Sequence, residues 1–201
     1  MKGKFSIFFS LILSVILLPG ISVKAQQADG LVQAGAFVSS EKIPNGFGIQ
    51  TSNAYISITA YSPAIIRVRF LKSRDAAIKR HSFAVIALPE NNLSLKSASA
   101  DHLILETDSL LVDVHKDPVR IDFLNKRTGQ LLSGDDETLG MAWNGSEVIS
   151  YRKMFSDEKF LGLGQKTGDL NHRSTTLVNL NNDAYGFKPG TRPMYSTMPF
   201  F

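Results

Sequence analysis

Tyr55-Ile56-Ser57-Ile58-Thr59-Ala60-Tyr61-Ser62-Pro63-Ala64-Ile65-Ile66-Arg67-Val68-Arg69-Phe70-Leu71 is the stretch that decides the fold. Ile56, Ile58 and Ala60 alternate with Tyr55, Ser57, Thr59 and Tyr61, a period of two that suits a pleated strand and not a helix. Ser62-Pro63 marks a turn, after which Ile66, Val68 and Phe70 alternate with Ile65, Arg67, Arg69 and Leu71. The two runs predict an antiparallel hairpin with one buried face. The pattern returns at Leu110, Val112 and Val114 and, past Lys116-Asp117-Pro118, at Val119, Ile121 and Phe123. Asp113, His115, Arg120 and Asp122 are expected on the opposite face, with His115 an exposed strand position. Asn125-Lys126-Arg127-Thr128-Gly129 punctuates the chain again before Gln130-Leu131-Leu132. Short strands with frequent turn residues predict an all-β fold, an antiparallel β-sandwich. Only Asp75–Arg80 resembles a helical turn.

Upstream of these strands stands a leader. Met1-Lys2-Gly3-Lys4 is a short positive start, and Phe5–Leu18 is an apolar run broken only by Ser6, Ser10 and Ser14. Pro19-Gly20 ends the run, and Val23-Lys24-Ala25 offers the small residues that a signal peptidase requires before Gln26. Fourteen residues are too few to span a bilayer, which takes about 20 as a helix. Residues 1–25 are therefore expected to be a cleaved signal peptide and the mature chain to be exported, periplasmic or extracellular. No membrane span is expected after processing. Loss of Lys2, Lys4 and Lys24, with no acid in the leader, reduces the 22 basic residues to 19 against 18 acidic ones. A chain so nearly neutral carries no electrostatic footprint for nucleic acid or for a membrane surface. Zero cysteines exclude a disulfide scaffold, a thiolate metal site and a thiol nucleophile.

After Tyr151 the texture changes to long loops with a few short strands. Gly162, Gly164, Gly168, Gly186 and Gly190 alternate with Asn171, Asn179, Asn181, Asn182, Pro189 and Pro193. Gly162-Leu163-Gly164 is no dinucleotide fingerprint, because the third glycine falls at Gly168 and no βαβ pattern surrounds it. These glycines read as turn or backbone-approach positions. Asn179, Asn181 and Asp183 have the spacing of the first calcium-loop ligands, but Ala184 stands where such a loop needs glycine and Gly190 where it needs glutamate. Asp135-Asp136-Glu137 reads as a solvated turn. Of His81, His102, His115 and His172, no two stand three or four residues apart, so no helical metal pair forms. No Gly-x-Ser-x-Gly elbow nominates a nucleophile. No metal and no cofactor is expected.

The tail also carries a resemblance. Asp157-Glu158-Lys159-Phe160-Leu161-Gly162-Leu163-Gly164-Gln165-Lys166-Thr167-Gly168 resembles the segment leading into the substrate loop of glycoside hydrolase family 31. Leu170-Asn171-His172-Arg173, Asn182-Asp183-Ala184-Tyr185-Gly186, Pro193-Met194-Tyr195 and Pro199-Phe200-Phe201 follow in the family's order. Upstream, Ile65–Phe70 is similar to the family's early Arg-Val-Arg strand, and Leu110–Phe123 to its next hairpin. Gln165 replaces the usual glutamate and Leu161 the usual aromatic, and neither position is catalytic in the family.

The resemblance implies a galactose-mutarotase-like amino-terminal sandwich over residues 26–201, incomplete in this chain, with segment 156–201 facing a catalytic (β/α)₈ barrel further along the same polypeptide. It implies retaining hydrolysis of an α-linked oligosaccharide by two carboxylates on barrel loops. Such a pair sits about 5–5.5 Å apart, and neither member is expected in this chain. Asp183 matches the position whose carboxylate contacts sugar hydroxyls, with Asn182 and Tyr185 beside it. The same carboxylate could instead cap its own Asn-rich loop. The competing function is a stand-alone carbohydrate-binding sandwich, which would display a row of aromatics on one face.

Overall fold

The computed structural model describes residues 30–76, 85–90, 92–191 and 193–200. The expected signal peptide, most of the expected helical turn and His81 lie outside these residues. Twelve strands and no helix make up the described chain: β1 (Leu31–Gln33), β2 (Phe37–Ile43), β3 (Gly46–Thr51), β4 (Tyr55–Ser62), β5 (Ile65–Leu71), β6 (Ser94–Ala98), β7 (His102–Glu106), β8 (Leu110–Lys116), β9 (Val119–Asn125), β10 (Leu131–Gly134), β11 (Met141–Asn144) and β12 (Glu147–Ser150). The all-β antiparallel sandwich expected from the alternation is what forms, with no membrane-length apolar helix among the described residues.

The strands form a four-stranded sheet in the order β2-β3-β4-β5, a five-stranded sheet in the order β10-β9-β8-β7-β6, and a small sheet β1-β11-β12. The decisive hairpin closes in the register that the alternation requires, with Ile56 opposite Phe70 and Ile58 opposite Val68. A slip of one residue would expose that apolar set. Phe47, Ile49, Ile56, Ile58 and Ala60 from the first sheet meet Leu103, Leu105, Val112, Val114, Val119 and Ile121 from the second in one buried cluster. Each fully buried Leu, Ile or Val in such a core contributes about 1.5–3 kcal/mol of transfer free energy.

The small sheet is joined to this core by its own apolar residues. Met141 belongs to the cluster, and Trp143 stacks on Phe70 at a centroid distance of 3.9 Å and an interplanar angle of 14°. The Val119 amide donates to the Gly35 carbonyl at 2.8 Å, tying the start of β9 to the loop after β1.

Two charged side chains are buried, and for Asp135 this overturns an expectation. Arg120 does point away from Ile121, but it is 6% exposed and not solvated. Its guanidinium donates to the carbonyls of Asp136 at 3.0 Å, Val119 at 2.9 Å and Thr138 at 3.1 Å, and to Gln33 Oε1 at 3.1 Å. The 136–139 turn folds over it and supplies acceptors in place of water, so the charge is buried but not orphaned. Burial lowers its pKa, and Asp135 and Asp136 partly offset that. Asp135 is likewise no part of a solvated turn, at 1% exposure. Its carboxylate accepts from the Ile121 amide at 2.8 Å and pairs with Arg152 at 2.5 Å.

Candidate functional site

The tail is fastened to the sandwich at its root. The Lys153 amide donates to the Gly134 carbonyl at 2.8 Å, the Asp136 amide to Tyr151 at 2.9 Å, and the Tyr151 amide to Gly140 at 2.8 Å. With the pair between buried Asp135 and exposed Arg152 and with Lys153 Nζ 3.3 Å from Glu137 Oε1, these bonds fix where the tail departs.

From Phe155 onward the bonds run within the tail. Arg173 donates to the carbonyls of Phe155 and Glu158 at 2.7 and 2.8 Å, and the Phe160 amide donates to Asn171 Oδ1 at 3.0 Å. No strand forms there among the described residues, only isolated bridges pairing Gly164 with Thr197 and Asn181 with Met194. The expectation of short strands is thus not met, and the reason lies in the backbone. Gly162, Leu163 and Gly164 all have left-handed φ, at 98°, 65° and 81°, a run that cannot continue a strand ladder. A Cβ on Gly164 would stand 2.6 Å from the Ser196 carbonyl oxygen, so this glycine is a backbone-approach position, as the sequence suggested.

The three candidate substrate contacts sit on one loop held from behind. The Asn182 amide donates to the Met194 carbonyl at 3.1 Å, and Tyr195 donates its hydroxyl to the Ala184 carbonyl at 2.8 Å. Ala184 and Met194 are 8% and 6% exposed, a two-residue core beneath the loop. Asn182 turns its side-chain amide to the Asp183 carbonyl at 3.4 Å. Tyr185 is 98% exposed. The Asp183 carboxylate is exposed and accepts no hydrogen bond or ion pair among the described residues. Capping is done by its neighbour, since Asn181 Oδ1 accepts the Thr197 amide at 2.8 Å. An ionised carboxylate free on a backbone pinned on both sides can accept from two hydroxyls at once.

The sequence reading did not find the supports, Tyr195 and Met194, which act through contacts across eleven or twelve residues of irregular chain. It also missed a shallow depression of about 550 Å³ beside the loop, lined by Gln165, Lys166, Thr167, Gly168, Phe187, Pro189 and Met194. None of the three candidate residues lines it. The outer face of the five-stranded sheet brings together His102, Asp113 and His115.

Solved structures share the fold. The glycoside hydrolase family 31 dextranase of Flavobacterium johnsoniae, complexed with glucose, superposes with a TM-score of 0.76 at 22% identity, over 84% of this chain and 21% of that one. The cycloalternan-forming enzyme of Listeria monocytogenes, in complex with a pentasaccharide substrate, superposes with a TM-score of 0.63 at 15% identity, over 77% of this chain and 15% of that one. The fold is thus an all-β sandwich that recurs as a minor part of much longer chains. The sequence gives the family. Residues 55–201 match the glycosyl hydrolase 31 N-terminal galactose mutarotase-like domain, and the chain belongs to that family. Alpha-glucosidase 2 of Bacillus thermoamyloliquefaciens is 25% identical over 156 residues, which is 77% of this chain and 20% of that protein. The chain spans about a fifth of the length of that curated relative.

Proposed function

We propose that this chain is the amino-terminal part of an exported, retaining α-glycoside hydrolase acting on α-linked oligosaccharides, most nearly an α-glucosidase. Residues 1–25 are its signal peptide, residues 26–201 its sandwich, and segment 156–201 faces a catalytic barrel supplied further along the polypeptide. The barrel carries both catalytic carboxylates, so the chain alone does not hydrolyse glycosides. Its own contribution is one wall of the substrate pocket. There Asp183 accepts hydrogen bonds from sugar hydroxyls, and Asn182 and Tyr185 flank it. Family membership supports the hydrolase, and one observation carries the role of the loop: a carboxylate with no partner among the described residues, on a backbone braced by Met194 and Tyr195.

A stand-alone carbohydrate-binding sandwich is the weaker reading. It needs aromatics on a sheet face. The exposed aromatics among the described residues are Tyr151, Tyr185, Phe187, Tyr195 and Phe200, all past the last strand.

The test is Asp183→Ala in the full-length polypeptide. Removing charge-assisted hydrogen bonds worth about 1.5–3 kcal/mol should lower kcat/KM by about 10- to 100-fold, with the melting temperature unchanged. The loss should be larger for disaccharides than for activated aryl glycosides, whose leaving groups need less assistance. An intact kcat/KM with a lowered melting temperature would make Asp183 a loop cap and remove it from the pocket.

A further inference from the structure

The outer face of the five-stranded sheet holds four chemistry-bearing side chains in a checkerboard. Register sets His102 of β7 directly opposite His115 of β8, and Asp113 of β8 directly opposite Asp122 of β9. The two imidazoles are 4.7 Å apart between centroids and tilted by 55°. His102 Nδ1 lies 2.8 Å from Asp113 Oδ1, and His115 Nε2 lies 3.3 Å from Asp122 Oδ2. One potential ligand atom from each of His102, Asp113 and His115 falls within 4.8 Å of the others.

We propose that His102, Asp113 and His115 form a binding site for a divalent transition ion of the zinc class, with Asp122 orienting His115 from behind. Three observations support this. Two carboxylates placed directly across a sheet repel each other; Lys153 Nζ, 4.0 Å from Asp122 Oδ2, is shared with Glu137 at 3.3 Å, and Arg120, opposite His115, is engaged by the carbonyls of Val119, Asp136 and Thr138. A dication seated among the ligands would offset that repulsion. The ligand set is two imidazoles and one carboxylate, which suits zinc and its first-row neighbours and not the all-oxygen preference of calcium or magnesium. The side chains are 41%, 21% and 39% exposed, so an ion can enter and water can complete its coordination. Asp122, whose side chain is 15% exposed, has the place of the carboxylate that commonly fixes a metal-bound histidine.

Helical spacing rules gave no hint of this site, because the two histidines are brought together by strand pairing across 13 positions. The inference does not depend on the role of the tail loop, and its test does not read glycosidase activity.

The experiment is calorimetric titration of the untagged, metal-stripped chain with zinc chloride and, separately, calcium chloride at neutral pH. One zinc ion per chain should bind, at least tenfold more tightly than calcium. His102→Ala and His115→Ala should each weaken zinc binding by tenfold or more. Asp122→Asn should weaken it by about 10- to 100-fold, as loss of an orienting carboxylate does. His172→Ala, in the tail, should leave it unchanged. Cobalt titration of the same proteins should show the visible absorption of an ordered nitrogen–oxygen site, lost in the two histidine variants. Circular dichroism of the metal-free variants separates a lost ligand from a lost fold. Absence of zinc binding, or binding of equal strength in wild type, His102→Ala and His115→Ala, would overturn the assignment.

Discussion

The sandwich and the tail use apolar side chains in opposite ways. Of the twenty buried hydrophobic residues among the described ones, eighteen lie between Ala34 and Trp143, and only Ala184 and Met194 lie beyond Tyr151. The tail instead exposes Leu170, Leu180, Tyr185, Phe187, Met198 and Phe200. Its backbone is ordered by isolated bridges, left-handed glycines and side-chain-to-backbone bonds, and not by a core of its own. A region that fixes its main chain while leaving its large apolar groups outside is shaped for a neighbour. On the reading proposed above, that neighbour is the catalytic barrel, and the sandwich is the rigid base from which the tail reaches it.

The largest effect that separates the two roles is catalytic. The chain alone should release no aryl alcohol from aryl α-glucosides above a buffer blank, whereas the full-length protein should show the rate enhancement of an ordinary enzyme, about a millionfold or more. Activity that co-purifies with the chain and vanishes in Asp183→Ala would break the division between wall and catalyst.

The next effect is on stability. Leu105 is fully buried between the sheets, so Leu105→Ala should cost about 2–5 kcal/mol in denaturant unfolding. Leu170 is 78% exposed, so in the same chain Leu170→Ala should change stability by less than about 0.5 kcal/mol. Similar costs at the two sites would mean that the tail shares the sandwich core.

A smaller effect sharpens the junction between them. Burial holds the Asp135 carboxyl above its ordinary 3.8, against the pull of Arg152, the Ile121 amide and Arg120. The folded chain therefore takes up this proton at higher pH than the unfolded one. Its contribution to stability is complete below 3.8 and is lost as pH rises through the folded value. Asp136 next to it has the opposite sign. The Thr138 hydroxyl and amide hold its carboxyl below 3.8, so its contribution is present above 3.8 and is lost as pH falls through the folded value. Melting curves from neutral pH down to 3.8 should show wild type gaining on Asp135→Asn, while the difference from Asp136→Asn stays level until lower pH. A gap that moves against wild type over that range would mean that the Arg152 pairing outweighs burial.

Much of the sandwich was legible because β4 and β8 are buried mainly on one face. The runs 55–71 and 110–123 alternate cleanly, and their inward residues are the ones that pack. Several strands that escaped individual notice break that rule, although β7 alternates cleanly. β3 is buried on nearly every residue and shows no alternation, whereas β6 is exposed on every residue. β1, β11 and β12 are three or four residues long. The burial of Arg120 and Asp135 was not legible because a charged residue reads as solvent-facing until its partners are known. Those partners are a carbonyl at Thr138, an amide at Ile121 and a guanidinium at Arg152, all set by tertiary structure. The candidate loop was found through its resemblance to a family and not through any pattern in its own residues. The bracing of that loop by Tyr195 and Met194 became visible only in three dimensions.

The central claim is that the tail is completed by a neighbour that the sandwich does not supply. Residue-resolved hydrogen exchange on this chain and on the full-length protein tests it most directly. Amides of β4, β8 and β9 should be equally protected in both, because their ladder bonds and core lie within the chain. Amides of Leu163, Gln165, Asn182 and Met198 donate to carbonyls within the tail, and they should exchange much faster in the chain alone than in the full-length protein. Equal protection of these four amides in both proteins would contradict the account.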